Sequence, residues 1–357
     1  MNLKISTEVP WITCSMSQIN FNAPWDPLQS AWVGASYGTE FYEPIKDHKI
    51  RDSLQKIAHE TKEDYKGLIA TLESFNITVS CPHIDPKINI MNYVNDRGQI
   101  DYANSNSFTL IPRPPMQPRD SLLVVGSTLI ESNNELKWFA DNLKALNLDP
   151  DKIKRNTGAA FDAPLVTVIG QHLIVDCCEH TWLADYIQEL VPDRIVVPVH
   201  IGGHNDAVFC PVRPGLIVSS YHHTNYADTF PGWEVKFIEN QSWNAIPEWR
   251  KFKHNNATKW WIPDNDNNPE FANFVDTWLG HWLGYVEETV FDVNMLQINP
   301  STILVNNYNK EMFDFFKTKN IEPIITPFRH RFFWDGGIHC ITNDLYREGD
   351  NNVYITR

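Results

Sequence analysis

The sequence predicts an α/β fold, a five-bladed pseudosymmetric propeller with its active site at the central axis. Three observations carry that prediction. An apolar hairpin led by an aspartate occurs at Asp120–Ile130, Asp162–Val175, Asp206–Val218 and Asp292–Val305, with a degenerate copy at Asp26–Gly34. The leading aspartates lie 42, 44 and 86 residues apart, the last interval being about twice the others. Several copies are followed by a helix-like stretch and a short third strand, as in Trp182–Leu190 with Arg194–Val199 and Lys310–Lys319 with Ile321–Ile325. Self-similarity at a fixed period of this length marks repeat architectures. Strand-rich units repeated around an axis leave only short, protected sheet edges.

The elements follow in order. Gly126-Ser127, Gly170-Gln171, Pro214-Gly215 and Asn299-Pro300 interrupt the four apolar runs with residues that hairpin turns favour. Each unit therefore reads strand, strand, helix, strand. Units of this length leave two insertions, near 43–110 and 240–285, within a single domain spanning 1–357. The rival arrangement is two separate α/β domains, favoured by length alone. In a propeller the residue opening each hairpin sits near the axial channel, so several carboxylates face one cavity. Such a cluster needs a cation or hydrogen-bond donors to offset its desolvation.

Composition limits what that cavity serves. The chain has 357 residues, 42% hydrophobic, and a net charge of −14 with histidines neutral. Neither nucleic acid nor an anionic membrane is an expected partner, because both require clustered positive charge. The opening stretch does not read as a secretory signal, and no run approaches the roughly 20 apolar residues of a membrane span. Six cysteines, two of them adjacent at Cys177-Cys178, fit a reducing, cytoplasmic setting better than a disulfide scaffold.

The motifs narrow the chemistry. Asp176-Cys177-Cys178-Glu179-His180 gathers ligand-type residues, but adjacent cysteines do not easily share one ion; no metal and no cofactor are expected. His222-His223 and Trp260-Trp261 read as surface and packing residues, and no GxGxxG, Walker A or GxSxG motif occurs. The strongest candidate is Trp334–Thr342, where Gly336 and Gly337 precede Cys340 and are expected to let the backbone approach a ligand closely. A thiol attacks only as thiolate, and His204 can supply the base from another unit. A cysteine, a histidine and several aspartates suit a guanidinium group, which is planar, permanently cationic and matched bidentately by carboxylates.

At these residues the chain resembles the amidinotransferases, typified by glycine amidinotransferase, within the guanidine-modifying (pentein-like) superfamily of five-bladed α/β propellers. The likeness runs from about Asn22 to Gly349 through Trp25–Leu28, Pro118–Asp120, Phe161–Ala163, His204–Ala207 and Gly336–Cys340, of which the last two are the more specific. The resemblance implies Cys340 as nucleophile, His204 as general acid and base oriented by Asp162, and Asp120 and Asp206 as holders of the substrate guanidinium. It implies small-molecule partners, L-arginine and an acceptor amine, glycine by default, and a homodimer as the candidate assembly. Water as acceptor would make the chain a deiminase or dihydrolase instead. A non-catalytic binder of cationic amino acids would keep the carboxylates and need no thiol.

Departures from the glycine enzyme bear on substrate. Ser219–His223 lacks the arginine that grips the donor carboxylate in that family, and Arg213 is the candidate substitute. Asp292 stands near a position where the glycine enzyme has a small hydroxyl residue. It is expected either to bind an α-ammonium or acceptor amine at the channel mouth, or only to bond turn amides at the start of its hairpin.

Overall fold

The computed structural model describes residues 18–93, 111–132, 146–156, 158–220, 226–239, 268–283 and 292–356. Among these residues, five three-stranded sheets form the blades. In chain order the strands are β1 (Leu28–Val33), β2 (Thr78–Ser80), β3 (Leu122–Val125), β4 (Thr128–Glu131), β5 (Ile153–Arg155), β6 (Val166–Ile169), β7 (His172–Asp176), β8 (Ile195–Val199), β9 (Phe209–Arg213), β10 (Leu216–Ser219), β11 (Glu234–Phe237), β12 (Leu296–Asn299), β13 (Thr302–Val305), β14 (Glu322–Ile325) and β15 (Thr342–Arg347). Four blades repeat one pattern: an antiparallel hairpin whose second strand pairs in parallel with a third, as in β6-β7-β8 and β12-β13-β14. The parallel step requires a crossover, which helices Leu183–Leu190 and Lys310–Thr318 supply in those two blades.

The hairpins form where the sequence places them, for local reasons. Val166 pairs with Val175 and Ile169 with His172, leaving Gly170-Gln171 as a two-residue turn. Gly170 has φ +59°, and a Cβ there would overlap the Asn352 carbonyl oxygen, so only glycine fits. Strands β3, β7 and β10 are buried on both faces, because each sheet is packed between neighbouring blades. The apolar cores lie at those junctions: Leu123 and Leu129 with Val166 and Val175, Ile174 with Phe209, Val218 with Ile303, and Leu296 with Ala31. Each fully buried aliphatic side chain contributes about 1.5–3 kcal/mol, so the blades stabilise one another chiefly through these shared cores.

The first blade differs from the expected hairpin. Asp26–Gly34 does not open a hairpin with the residues that follow; β1 is the middle strand, and its antiparallel partner is β15 from the other end of the sequence. The ring thus closes within one blade. Arg347 fastens the closure: fully buried, it donates to the carbonyls of Asp26 (2.5 Å) and Gln297 (2.6 Å) and pairs with Asp344 at 3.3 Å.

The stretch 43–110, set apart by the sequence as an insertion, contains the first blade's own crossover helix, His48–Ser74, followed by β2. Asp47 caps that helix by accepting from the Lys49 amide, and Leu54, Ile57, Ala58, Thr61, Tyr65, Leu68 and Leu72 form its buried stripe at helical spacing. Of the second stretch, 240–285, the described part forms helix Pro269–Phe274 and a wider turn, Val275–Leu279. These bury Phe271, Val275, Leu279 and Trp282 in the same core, and Trp282 stacks on Trp334 at 6.0 Å. His222-His223 and Trp260-Trp261 lie outside the described residues. Among the described residues no helix is long and apolar enough to cross a membrane.

Candidate active site

Each blade presents to the axis the residues just ahead of its first strand. Asp120 lies in the single turn Pro118–Ser121 before β3, and Asp162 precedes the turn Ala163–Leu165 before β6. His204 and Asp206 flank the start of the turn Asn205–Val208 before β9, Asn294 precedes β12, and Cys340 precedes β15. Local contacts fix these turns. Asp176, at the end of β7, accepts from the backbone amides of Ile201 (2.7 Å), Gly202 (3.2 Å) and Gly203 (3.3 Å), shaping the loop that delivers His204. Asn205 donates to the carbonyls of Leu165 (3.1 Å) and Ile174 (3.2 Å), locking that turn to the neighbouring blade.

The Cys340 loop is held more tightly still. Thr61 and Tyr65 of the long helix take the Trp334 indole (2.9 Å) and donate to the Met116 carbonyl (2.9 Å), so one helix braces both Cys340's approach and Asp120's. Gly336 and Gly337 allow a close approach by the protein's own side chains. A Cβ at Gly336 would overlap the Gln117 amide, and one at Gly337 the Asn294 carboxamide. Arg119 donates to the carbonyls of His339 (2.8 Å) and Thr342 (3.0 Å), capping the turn that carries the cysteine.

Asp206 is the common member of the site. Its Oδ2 accepts from His339 Nδ1 (2.7 Å) and Asn294 Nδ2 (3.2 Å), and from the Cys340 thiol at 3.6 Å. His204 Nε2 lies 3.4 Å from Asp162 Oδ2. Arg113 approaches Asp120 at 3.9 Å while donating to Gln117 and to the Trp334 carbonyl at 3.2 Å. Asp120 Oδ1 and Asp206 Oδ1 are buried and accept no hydrogen bond among the described residues.

Burial and charge set the protonation states. Burial pulls the His204 pKa down, but the hydrogen bond to Asp162 and the charges of Asp120, Asp206 and Asp162 outweigh it and push the imidazole up to about 10. Burial alone would raise Asp206, yet its bond to His339 and the charges of His339, His204 and Arg119 bring it down to about 2. Asp120 goes the other way: burial lifts it to about 6 against the pull of His204 and Arg113. The Cys340 thiol is raised well above its ordinary value by burial and by the carboxylates of Asp206 and Asp120. The resting site is therefore an imidazolium and a thiol among carboxylates, two of whose oxygens await a donor.

Of the residues singled out in the sequence, Cys340 and Asp206 touch, His204 and Asp162 pair, and Asp120 acts electrostatically on both groups. Two stand apart. Arg213 ends β9 at the far end of the hairpin from Asp206 and donates to the Lys319 carbonyl at 3.0 Å. Asp292 is buried, its two oxygens accepting from Asn307 (2.8 Å) and Asn309 (3.2 Å), and Asn309 in turn caps helix Lys310–Thr318. Sequence reasoning missed Asn294, His339, Arg113 and Gln117. His339 adjoins the cysteine and Asn294 follows the Asp292 hairpin opening by two residues; only adjacency marked them.

Comparison with known proteins agrees with this geometry. No family model matches the chain. In sequence it is 21% identical to inosamine-phosphate amidinotransferase 1 of Streptomyces griseus, across 93% of the chain and 98% of that protein. It is 24% identical to the L-arginine:L-lysine amidinotransferase of Pseudomonas savastanoi pv. phaseolicola, over 55% of the chain and 46% of that protein. In structure it is similar to an amidinotransferase of the saxitoxin biosynthetic pathway from Microseira wollei, with TM-score 0.67 at 16% identity, covering 94% of the chain and 99% of that one. The Pseudomonas aeruginosa dimethylarginine dimethylaminohydrolase shares the fold at TM-score 0.54 and 9% identity, over 88% and 98% of the two chains. The fold is that of a five-bladed pseudosymmetric α/β propeller. Across most of its length the chain is similar in sequence to amidinotransferases.

Proposed function

We propose that the protein moves the amidino group of L-arginine to an acceptor amine through a covalent intermediate on Cys340, releasing ornithine. The observation that carries this reading is that Asp206, which accepts from the Cys340 thiol through Oδ2, and Asp120, which acts on the same thiol electrostatically, each hold a buried Oδ1 without a hydrogen-bond partner among the described residues. A buried acceptor without a partner costs about 1–3 kcal/mol, and a guanidinium donating to both sites removes that cost. Its charge also offsets the two carboxylates that hold the thiol protonated, so with substrate present the thiol releases its proton to solvent and thiolate forms, His204 keeping its own proton for the leaving amine.

The chemistry then runs in two halves. The Cys340 thiolate adds to the guanidinium carbon, and the bond from that carbon to the ornithine nitrogen breaks as His204, an imidazolium at neutral pH, protonates the leaving amine. Amidino-cysteine remains. The acceptor amine gives a proton to the now neutral His204 and attacks the same carbon, and sulfur leaves as thiolate. Asp162 holds the imidazole in place throughout.

The acceptor is an amine whose identity turns on groups beyond these. Glycine is the family default, while the relatives above are named for inosamine phosphate and lysine, so all three classes belong in the assay. Arg213 is no longer the candidate for the donor carboxylate, given its place at the outer turn. The test is to incubate enzyme and arginine with glycine, lysine or a phosphorylated aminocyclitol and to measure ornithine. Ornithine that depends on an acceptor and vanishes in Cys340→Ala supports transfer. Citrulline and ammonia formed without acceptor, or turnover surviving in Cys340→Ala, would overturn it.

A further inference from the structure

We infer that Asn294 is a catalytic residue whose side-chain amide stabilises the Cys340 thiolate, both when it attacks and when it is expelled from the amidino intermediate. The inference rests on Cys340 being the nucleophile. Asn294 Nδ2 lies 3.0 Å from Cys340 Sγ and 3.2 Å from Asp206 Oδ2, while Oδ1 accepts from the backbone amides of His339 (2.9 Å) and Cys340 (3.3 Å). Those two amides fix which way the carboxamide faces. Turned over, it would set its NH₂ against two N–H donors and its oxygen against a carboxylate and a sulfur, so the NH₂ must point at Sγ. The side chain is buried, and its neighbours hold it still: Asn306 donates to the Asn294 carbonyl at 2.9 Å and accepts from the Ile338 amide at 3.0 Å.

The amide matters because of what else surrounds the sulfur. Asp206 and Asp120 disfavour a thiolate, and Tyr65 of the long helix also interacts with it electrostatically. His339, its neighbour in sequence, spends Nδ1 on Asp206. Besides an incoming guanidinium, Asn294 is thus the side chain that donates to Sγ among the described residues. A donor to a buried anion is charge-assisted and forms its full bond only once the thiol has ionised, so it favours the reacting state over the resting one.

The experiment follows alkylation of Cys340 by iodoacetamide against pH, resolved by mass spectrometry of the Cys340 peptide, in wild type, Asn294→Ala, Asn294→Asp and Asn306→Ala. Asn294→Asp keeps an oxygen to accept from the His339 and Cys340 amides but replaces the donor with a carboxylate oxygen. Loss of the donor should raise the alkylation midpoint by about one pH unit and slow the reaction about tenfold at neutral pH in both Asn294 variants. Asn306→Ala, which removes loop support without touching sulfur, should leave the midpoint in place. A wild-type midpoint in Asn294→Asp, or an equal shift in Asn306→Ala, would reduce Asn294 to a scaffold residue. Failure of the parent reading shows separately, as arginine turnover in Cys340→Ala.

Discussion

Replacing Asp162 by asparagine tests the electrostatics of the site most directly, because it removes one charge while keeping an acceptor for His204. The pair is 3.4 Å apart, with the His204 side chain 30% and the Asp162 side chain 53% exposed. At that distance Coulomb attraction is worth about 1 kcal/mol in water and about 5 kcal/mol at an effective dielectric of 20. Half-exposed partners are screened toward the lower figure, so about 1–2 kcal/mol, or about one pKa unit, is the expected loss. Asp120 and Asp206 remain to keep the imidazole above its ordinary value. In the proposed mechanism His204 is protonated when ornithine leaves, so donor-side activity is expected below its pKa of about 10 and lost above it. Asp162→Asn should therefore move the alkaline limb of kcat/KM for arginine down by about one unit, read from steady-state rates across the alkaline range. The acid limb, where Asp120 becomes protonated as pH falls through about 6, should stay put. A uniform fall in rate with both limbs unmoved would show that Asp162 does not set the protonation of His204.

Three further outcomes are expected. Asp120→Asn should abolish the acid limb near pH 6 and lower kcat/KM for arginine by about ten- to a hundredfold, the worth of a charge-assisted bond; an intact limb would assign it elsewhere. Asp292→Ala should lower unfolding free energy by about 1–3 kcal/mol in urea titrations, since Asn307 and Asn309 lose their acceptor, and leave the KM of donor and acceptor unchanged. A sharply raised KM would return Asp292 to amine binding. Arg347→Met leaves Asp344 buried with one cation, Arg119 at 3.3 Å, and should cost about 3–5 kcal/mol by the same titration; a near-neutral change would mean the ring closes without this pair.

What could be read from the sequence is local, and what escaped it is long-range. The hairpins β3-β4, β6-β7, β9-β10 and β12-β13 were legible because each is two short apolar runs with turn residues between, all within one stretch of chain. Asp120, Asp162 and Asp206 were legible as a charge repeated at near-constant spacing at the border of an apolar run, whereas Asp292, marked by the same signal, is held by Asn307 and Asn309. The partnership of Leu28–Val33 with Thr342–Arg347 left no such mark, since no periodicity links strands at opposite ends of the chain. Arg213 was misplaced for a related reason: a basic residue in a turn reads alike at either end of a hairpin, and the structure puts it at the outer one.

That unseen pairing is also what explains the place of Cys340, the nucleophile of the proposed mechanism. Because β15 is the first strand of the blade that closes the ring, Cys340 occupies there the position that Asp120, Asp162, Asp206 and Asn294 occupy in the other four, each two to four residues ahead of its blade's first strand. Pseudosymmetry brings five equivalent side chains around one opening, and their differences make the chemistry. Three carboxylates there attract a cation, an amide donates to the sulfur, and the fifth position carries the thiol. His204, two residues before Asp206 on the same turn, adds the proton carrier that symmetry alone would not supply. Read as a separate C-terminal motif, Gly336–Cys340 looks like an addition to the repeat. In the folded chain it is the opening of the fifth blade, and its nearness to the carboxylates follows from the closure of the ring.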